Sequence, residues 1–279
     1  MLFELHCHSL YSRGRKIPTE ALASPRDIMR HAKRLGLGGI AITDHNTIKS
    51  WKEARAEARK EGIVFVPGCE ISSSKGHILG LGLNSSIKPG LGVEETLDRI
   101  HEQGGLAIAA HPFDIKGYGI KYDFRRTDAV EVFNAVAIDR VTNMFCERKV
   151  RKSGKPMVAG SDAHTLNMIG AAVNVIDGNS LDSILKKIKK GEVGVRKGYV
   201  PLKEAFYWSR ERLVRSENDV RTYIEKNYSF PKAHISRFLL NRFLTSRRER
   251  PWIWLGGFGT GLSSLYAGLR VAGYQILKK

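Results

Sequence analysis

Glu4-Leu5-His6-Cys7-His8-Ser9-Leu10-Tyr11-Ser12 comes just after the apolar start Leu2-Phe3 and decides how the chain is read. Successive side chains of a strand point to opposite faces. His6 and His8, at i and i+2, therefore share a face, and both imidazoles can reach one metal ion. Alone the pair says little, because an isolated His-x-His is more often structural than catalytic. Its weight comes from the histidines and carboxylates later in the chain.

Short apolar runs alternate with amphipathic segments up to about residue 196. The expected strands are Leu2–Cys7, Gly39–Thr43, Val64–Pro67, Ile78–Leu81, Leu106–Ala110, Ala129–Phe133, Met157–Ala159 and Ala172–Ile176. The expected helices are Pro25–Leu35, with Ser24 as N-cap and proline in the first turn, then Lys49–Glu61, Val93–Gln103, Ala137–Lys152 and Ser180–Lys190. Strands alternating with crossover helices predict an α/β protein with a mostly parallel sheet, closed into a barrel or doubly wound.

Chemistry-bearing residues fall where these strands end. Asp44-His45 succeeds the second strand, Glu70 the third, and His77 opens the fourth; His111 closes the fifth, and Asp162 and His164 come after the seventh. Six of the nine histidines thus gather at strand ends with three carboxylates. The ends of barrel strands converge on one face, and such a donor set suits Zn²⁺, Mn²⁺ or Fe²⁺, with a carboxylate such as Glu70 able to bridge two ions.

Taken in order, Glu4-Leu5-His6-Cys7-His8-Ser9, Ile42-Thr43-Asp44-His45-Asn46-Thr47, Gly68-Cys69-Glu70-Ile71-Ser72, Gly76-His77-Ile78-Leu79-Gly80, Ala110-His111-Pro112 and Gly160-Ser161-Asp162-Ala163-His164 resemble the successive motifs of the polymerase and histidinol phosphatase (PHP) superfamily. The resemblance spans about residues 1–196. It implies a distorted (β/α)₇ TIM-like barrel with two or three divalent ions that hydrolyses phosphoesters. By the same resemblance, His6, His8 and Asp162 hold a first ion and Glu70 bridges to another beside His77 and His111. His45 and His164 then serve the remaining ion, or one of them protonates the leaving group. Asp44 would orient a ligand imidazole. One position departs from the pattern: the superfamily often reads Tyr-Ser-Asp-Gly where this chain has Tyr11-Ser12-Arg13-Gly14. Arg13 cannot ligate a metal, but its planar fork suits a substrate phosphate. Arg125 and Arg126, after the glycine-bearing loop Phe113–Phe124, read either as a phosphate clamp or as a solvated basic loop. Asn134 can orient a phosphate oxygen or simply end a strand.

The 279 residues carry 46 Lys and Arg against 28 Asp and Glu, a net charge of +18. That excess suits a phosphorylated substrate, a nucleotide or nucleic acid, or serves solubility. Cys7, Cys69 and Cys146 are odd in number and widely spaced, which argues against a disulfide framework and for a reducing compartment. No leader-like segment precedes the first strand, so a cytoplasmic location is expected.

Beyond residue 196 the chain turns basic, with 13 Lys and Arg against 6 Asp and Glu between Lys197 and Arg250. Helical periodicity runs through Lys203–Lys226 and Ala233–Arg247, where Ile235, Phe238, Leu239 and Phe243 would share a face docked on the barrel. The last segment, residues 251–279, is glycine-rich and apolar. It reads either as a helix associated with the inner face of a membrane or as one packed on the barrel, and Arg270 weighs against a span. The function expected is metal-dependent hydrolysis of a nucleotide or oligonucleotide end. The alternatives are a small-molecule phosphatase of the histidinol phosphate kind, or a metal-containing module that binds RNA or a membrane without catalysis.

Overall fold

The computed structural model describes residues 1–14 and 16–276. Its strands are β1 (Leu2–Glu4), β2 (Gly39–Ile42), β3 (Val64–Ser72), β4 (His77–Leu81), β5 (Leu106–Ala109), β6 (Ala129–Asn134), β7 (Met157–Gly160), β8 (Val173–Val175) and β9 (Gly194–Arg196). They form one sheet in the order β7-β6-β5-β4-β3-β2-β1-β8-β9, curled into a nearly closed, distorted barrel of the expected (β/α) type. Helices α1 (Pro25–Arg34), α2 (Trp51–Glu61), α3 (Val93–His101), α4 (Val141–Ser153) and α5 (Leu181–Lys190) flank it.

β1–β2–β3 and β5–β6–β7 are parallel runs, but β4 is antiparallel to both of its neighbours. The reason lies in the linker Ser73-Ser74-Lys75-Gly76. Four residues close a hairpin, whereas a parallel crossover needs a dozen or more. Helix starts obey their caps: the Ser24 side chain accepts from Asp27 N ahead of Pro25, and Ser180 forms a capping box with Ser183.

In β1 and its continuation, Phe3, Leu5 and Cys7 pack into apolar clusters while Glu4, His6 and His8 alternate with them. The period of two that buries one face thus presents the other to the site.

β7 and β8 are not joined by a ladder. Instead the buried side chain of Asn174 clasps them: its Oδ1 accepts from Ala159 N (2.9 Å) and its Nδ2 donates to Ala159 O (2.7 Å) and Phe3 O (3.3 Å). Replacing Asn174 with the isosteric leucine leaves three buried backbone groups without these partners, each worth about 1–3 kcal/mol when unsatisfied. We expect urea denaturation of Asn174→Leu to show a loss of about 3 kcal/mol. A change below about 0.5 kcal/mol would show that the closure does not depend on the clasp.

After the barrel come α6 (Leu202–Arg215), α7 (Glu217–Asn227), α8 (Lys232–Thr245) and α9 (Arg250–Ile276). The single periodic stretch expected over Lys203–Lys226 is two helices broken at Ser216, whose hydroxyl accepts from Thr19 N (2.9 Å). The expected docking face of α8 is not docked: Ile235, Phe238 and Leu239 are 50–57% exposed, and Leu240 is the buried residue. Phe243 packs against Phe206 and Trp252. Among the described residues no helix is long and apolar enough to cross a membrane. Leu277, Lys278 and Lys279, which the tail reading includes, lie outside the described residues. Helix α9 lies against α4 and α6, and Arg270 donates to the carbonyls of Asp114 (3.4 Å) and Ile115 (3.2 Å).

Candidate metal centre

Strand ends and the turns after them bring His6, His8, His45, Glu70, His77, His111, Asp162 and His164 to one mouth of the barrel, in and around a cavity of about 510 Å³. Backbone strain helps to aim two of them: His111 and Asp162 have φ of 28° and 50°, a region uncommon for residues other than glycine.

Four of these side chains fit one ion. His6 Nε2 lies 3.3 Å from Glu70 Oε2, 3.3 Å from His8 Nε2 and 3.4 Å from Asp162 Oδ1; His8 Nε2 lies 3.3 Å from Glu70 Oε2 and 3.0 Å from Asp162 Oδ1. Donors bonded at about 2.0–2.1 Å to a tetrahedral ion stand about 3.3 Å from one another, so the five separations match the edges of such a shell. A second group shares Glu70: His45 Nδ1 is 3.2 Å from its Oε2, and His77 Nδ1 and His111 Nε2 are 2.8 and 3.0 Å from its Oε1. The His77 Nδ1 approach lacks hydrogen-bond geometry, which leaves this buried nitrogen aimed at the carboxylate without a hydrogen-bond partner among the described residues. The two donor groups, with Glu70 common to both, suit one or more divalent ions.

Several placements differ from those the sequence implies. His45 joins Glu70 and His77 rather than standing apart with His164. His164 Nδ1 meets Asp162 O (2.6 Å), and its ring lies between those of His8 (4.6 Å) and Trp208 (4.5 Å). Among the described residues the Asp44 carboxylate bonds no imidazole; it accepts from Ser9 N (2.6 Å) and Ser9 Oγ (2.7 Å) and so fixes the first turn. The orienting carboxylate is Glu131, buried in β6. Its Oε1 is 2.8 Å from His6 Nδ1, and its Oε2 accepts from His111 N (2.9 Å) and Asn134 Nδ2 (3.2 Å). Gly160 makes room for it, since a Cβ there would collide with the Glu131 carboxylate and His6 Cβ. Asn134 Nδ2 also donates to Asp162 Oδ2 (3.2 Å), which makes it a partner of the ligand set. Arg13 lines the cavity, whereas Arg125 and Arg126 do not: Arg126 pairs with Glu94 (2.8 Å) and Arg125 lies near the Tyr122 and Phe124 rings.

Two further carboxylates, like Glu131, are not legible in the sequence as site residues. Glu20 reaches the cavity because Thr19 is brought beside Arg13 by an antiparallel bridge; its Oε2 accepts from Ser12 Oγ (3.3 Å) and is 3.6 Å from His45 Nε2. Glu4 lies beneath the cluster, accepting from the backbone N–H groups of Leu5, His6, Ser161 and Gly170. Burial raises its pKa to about 7 despite those bonds.

The electrostatics arise from packing acids and imidazoles together out of water. Burial alone would raise Glu70 and Asp162, yet the surrounding histidines hold both well below the usual carboxylate range. Burial alone would lower His8 and His111, yet Asp162 and Glu70 raise His8 to about 10, and Glu70 raises His111 to about 9. His164 goes the other way, pushed to about 3 by burial and by His8. Without metal at pH 7, protons on His8 and His111 therefore balance the carboxylates, and an incoming cation must displace them. We expect metal uptake by the chelated protein in weakly buffered solution at pH 7 to release at least one proton per ion. Affinity should rise from pH 7 towards 9, as the competing protons leave. Uptake without acidification would contradict this assignment.

The chain matches the PHP domain over residues 4–115 and the PHP-associated C-terminal family over residues 142–193. It is 42% identical over 159 residues to an uncharacterised protein of Methanocaldococcus jannaschii, covering 54% of this chain and 92% of that one. It is 33% identical over 117 residues to a 3',5'-nucleoside bisphosphate phosphatase of Chromobacterium violaceum, covering 38% of each chain. The crystal structure of PsfC from Pseudomonas syringae has a related fold at 16% identity, with a TM-score of 0.51 over 78% of this chain and 98% of that one. By its ordered motifs, its barrel and its clustered metal donors, the chain belongs to the PHP family of metal-dependent phosphoesterases.

Proposed function

We propose that the protein hydrolyses the phosphoester of a nucleotide or of an oligonucleotide end at a centre of two or three divalent ions. The shell formed by His6, His8, Glu70 and Asp162, with Glu70 shared by a second donor group, is the observation that carries this reading. Ions held there supply Lewis acidity to a phosphoryl oxygen and lower the pKa of water. The chain's own contribution is to fix the donors through Glu131, Glu4 and Asn134, and to place cationic Arg13 beside the cavity.

We assign His45, which shares Glu70 with His77, to metal binding rather than to proton donation. Burial lowers its pKa, which favours the neutral imidazole that ligates metal. His164 is held neutral too, but its Nδ1 meets Asp162 O and it joins neither donor group, so it flanks the centre. Glu20 supplies a carboxylate near His45, where Arg13 replaces the one common in the superfamily.

The nucleotide assignment draws support from the net charge, from the cations at the cavity and from the bisphosphate phosphatase relative. A screen of nucleotides, short oligonucleotides and sugar phosphates against Mn²⁺-loaded protein tests it. Nucleotide or oligonucleotide ends should be turned over with a higher kcat/KM than sugar phosphates or histidinol phosphate. The reverse order would overturn the nucleotide assignment and leave a small-molecule phosphatase.

A further inference from the structure

Helix α6 lies outside the barrel, yet it lines the cavity with two side chains one turn apart, Trp208 and Arg212. Trp208 is fixed from two directions. Its ring lies tilted against that of His164 at 4.5 Å and its Nε1 donates to Glu20 O at 2.6 Å. The Arg212 guanidinium lies over the same indole at 4.7 Å. Rings and guanidinium thus form one run leading outward from the metal donors: His45, His8, His164, Trp208, Arg212. The hydrogen bond from Thr19 N to Ser216 Oγ, just past the end of α6, ties the helix to the cavity loop.

Arg212 differs from the paired cations around the barrel. Lys75, Arg126 and Lys197 each meet a carboxylate within 2.9 Å. Arg212 makes no ion pair among the described residues, and its Nε is buried without a hydrogen-bond partner. The Glu20 charge acts on it without forming a pair, and Gly14 lies alongside its Nη2. A half-buried guanidinium whose Nε is out of water and without a partner favours an incoming anion, and this one borders a cavity whose other cations are Arg13 and Lys116. Its planar fork and its indole support suit a phosphate oxygen pair.

We propose that Arg212, with Arg13 and Lys116, forms an anion subsite that takes a substrate phosphate other than the one hydrolysed. Two ring layers separate Arg212 from His8, so the subsite lies outward from the donors that surround the ions. The proposal rests on the phosphoesterase reading above and deepens it. The helices after the barrel become part of the recognition surface, and the favoured substrate is a phosphoester bearing a second phosphate.

The test compares adenosine 3',5'-bisphosphate with adenosine 5'-monophosphate on the Mn²⁺-loaded full-length protein, as wild type, Arg212→Met and Arg212→Lys. Methionine keeps an unbranched stem against Trp208 and removes the charge. The wild type should favour the bisphosphate, and Arg212→Met should cut the ratio of the two kcat/KM values about 10–100-fold, mainly through KM, as expected for a lost charged hydrogen bond. Arg212→Lys should recover part of the ratio, which a purely structural role would not predict. An equal fall for both substrates, or no fall, overturns the subsite. Calorimetric titration of the chelated protein with the bisphosphate separates the two readings. Arg212-dependent binding without turnover in any metal would retain the subsite and sink the hydrolase reading. Turnover with an unchanged ratio in Arg212→Met would do the opposite. Circular dichroism confirms that each variant is folded.

Discussion

Glu70→Ala is expected to strip the protein of more than one metal ion and to abolish phosphoester hydrolysis. Both donor groups pass through that carboxylate. Its Oε2 stands beside His6, His8 and His45, and its Oε1 beside His77 and His111. A ligand confined to one ion would cost that ion alone; a shared one costs both. The loss in kcat/KM should exceed the about 10²–10⁴ that a lone acid–base group is worth, because activation of water and positioning of the phosphoryl group fail together. Elemental analysis decides the matter directly. A variant that retains all but one ion after dialysis would show that Glu70 belongs to a single site. The substitution also leaves five imidazoles facing a gap, so the metal-free variant should lose the raised pKa of His111, which depends chiefly on Glu70.

The parts of this centre that can be read without a structure are those set by local rules. His6 and His8 share a face because strands alternate, and the donors after β2, β5 and β7 and near the end of β3 converge because barrel strands end together. The reversal of β4 is not available in this way, since the expected strands Val64–Pro67 and Ile78–Leu81 leave about ten residues between them, and only the extension of β3 to Ser72 shortens the linker to a hairpin. The remaining features are decided by tertiary approach. Glu131 sits in the run Ala129-Val130-Glu131-Val132-Phe133, where a carboxylate in a buried strand is the only hint that it has a partner. Glu20, Trp208 and Arg212 give no hint at all: one lies in an irregular loop and two on a helix whose docking determines what they touch. Asp44 shows the converse error. An acid next to a ligand histidine invites a role in orienting the imidazole, but Ser9 offers two donors at 2.6–2.7 Å and takes the whole carboxylate. The tail is ambiguous for a similar reason. Composition measures how apolar a helix is, and only packing shows that Arg270 meets backbone carbonyls of the barrel loop.

Asp162→Gly separates catalysis from stability. Asp162 is held at a φ of 50°, a conformation that costs a side-chain-bearing residue about 1 kcal/mol or more and costs glycine little. Its carboxylate lies 3.0 Å from His8 Nε2 and 3.4 Å from His6 Nε2 and accepts from Asn134 Nδ2 at 3.2 Å, so the protein accepts this strain in order to aim a donor. In the glycine variant the strain is relieved while the ionic contacts to His6 and His8 are lost, and the two imidazoles can shed their protons instead. The metal-free melting temperature should therefore move by only a few degrees. Metal is a different matter. A ligand at about 100 times its Kd stabilises by about 2.7 kcal/mol, equivalent to about 5–10 °C in a chain of this size. That increment should appear in the wild type and be largely absent in Asp162→Gly, alongside a fall in kcat/KM of at least about 10³. Scanning calorimetry with and without Mn²⁺ reads both quantities. A full metal-dependent increment in the variant would remove Asp162 from the ligand set, and a collapse of the metal-free fold would mean that the carboxylate is a structural necessity rather than a strained functional one.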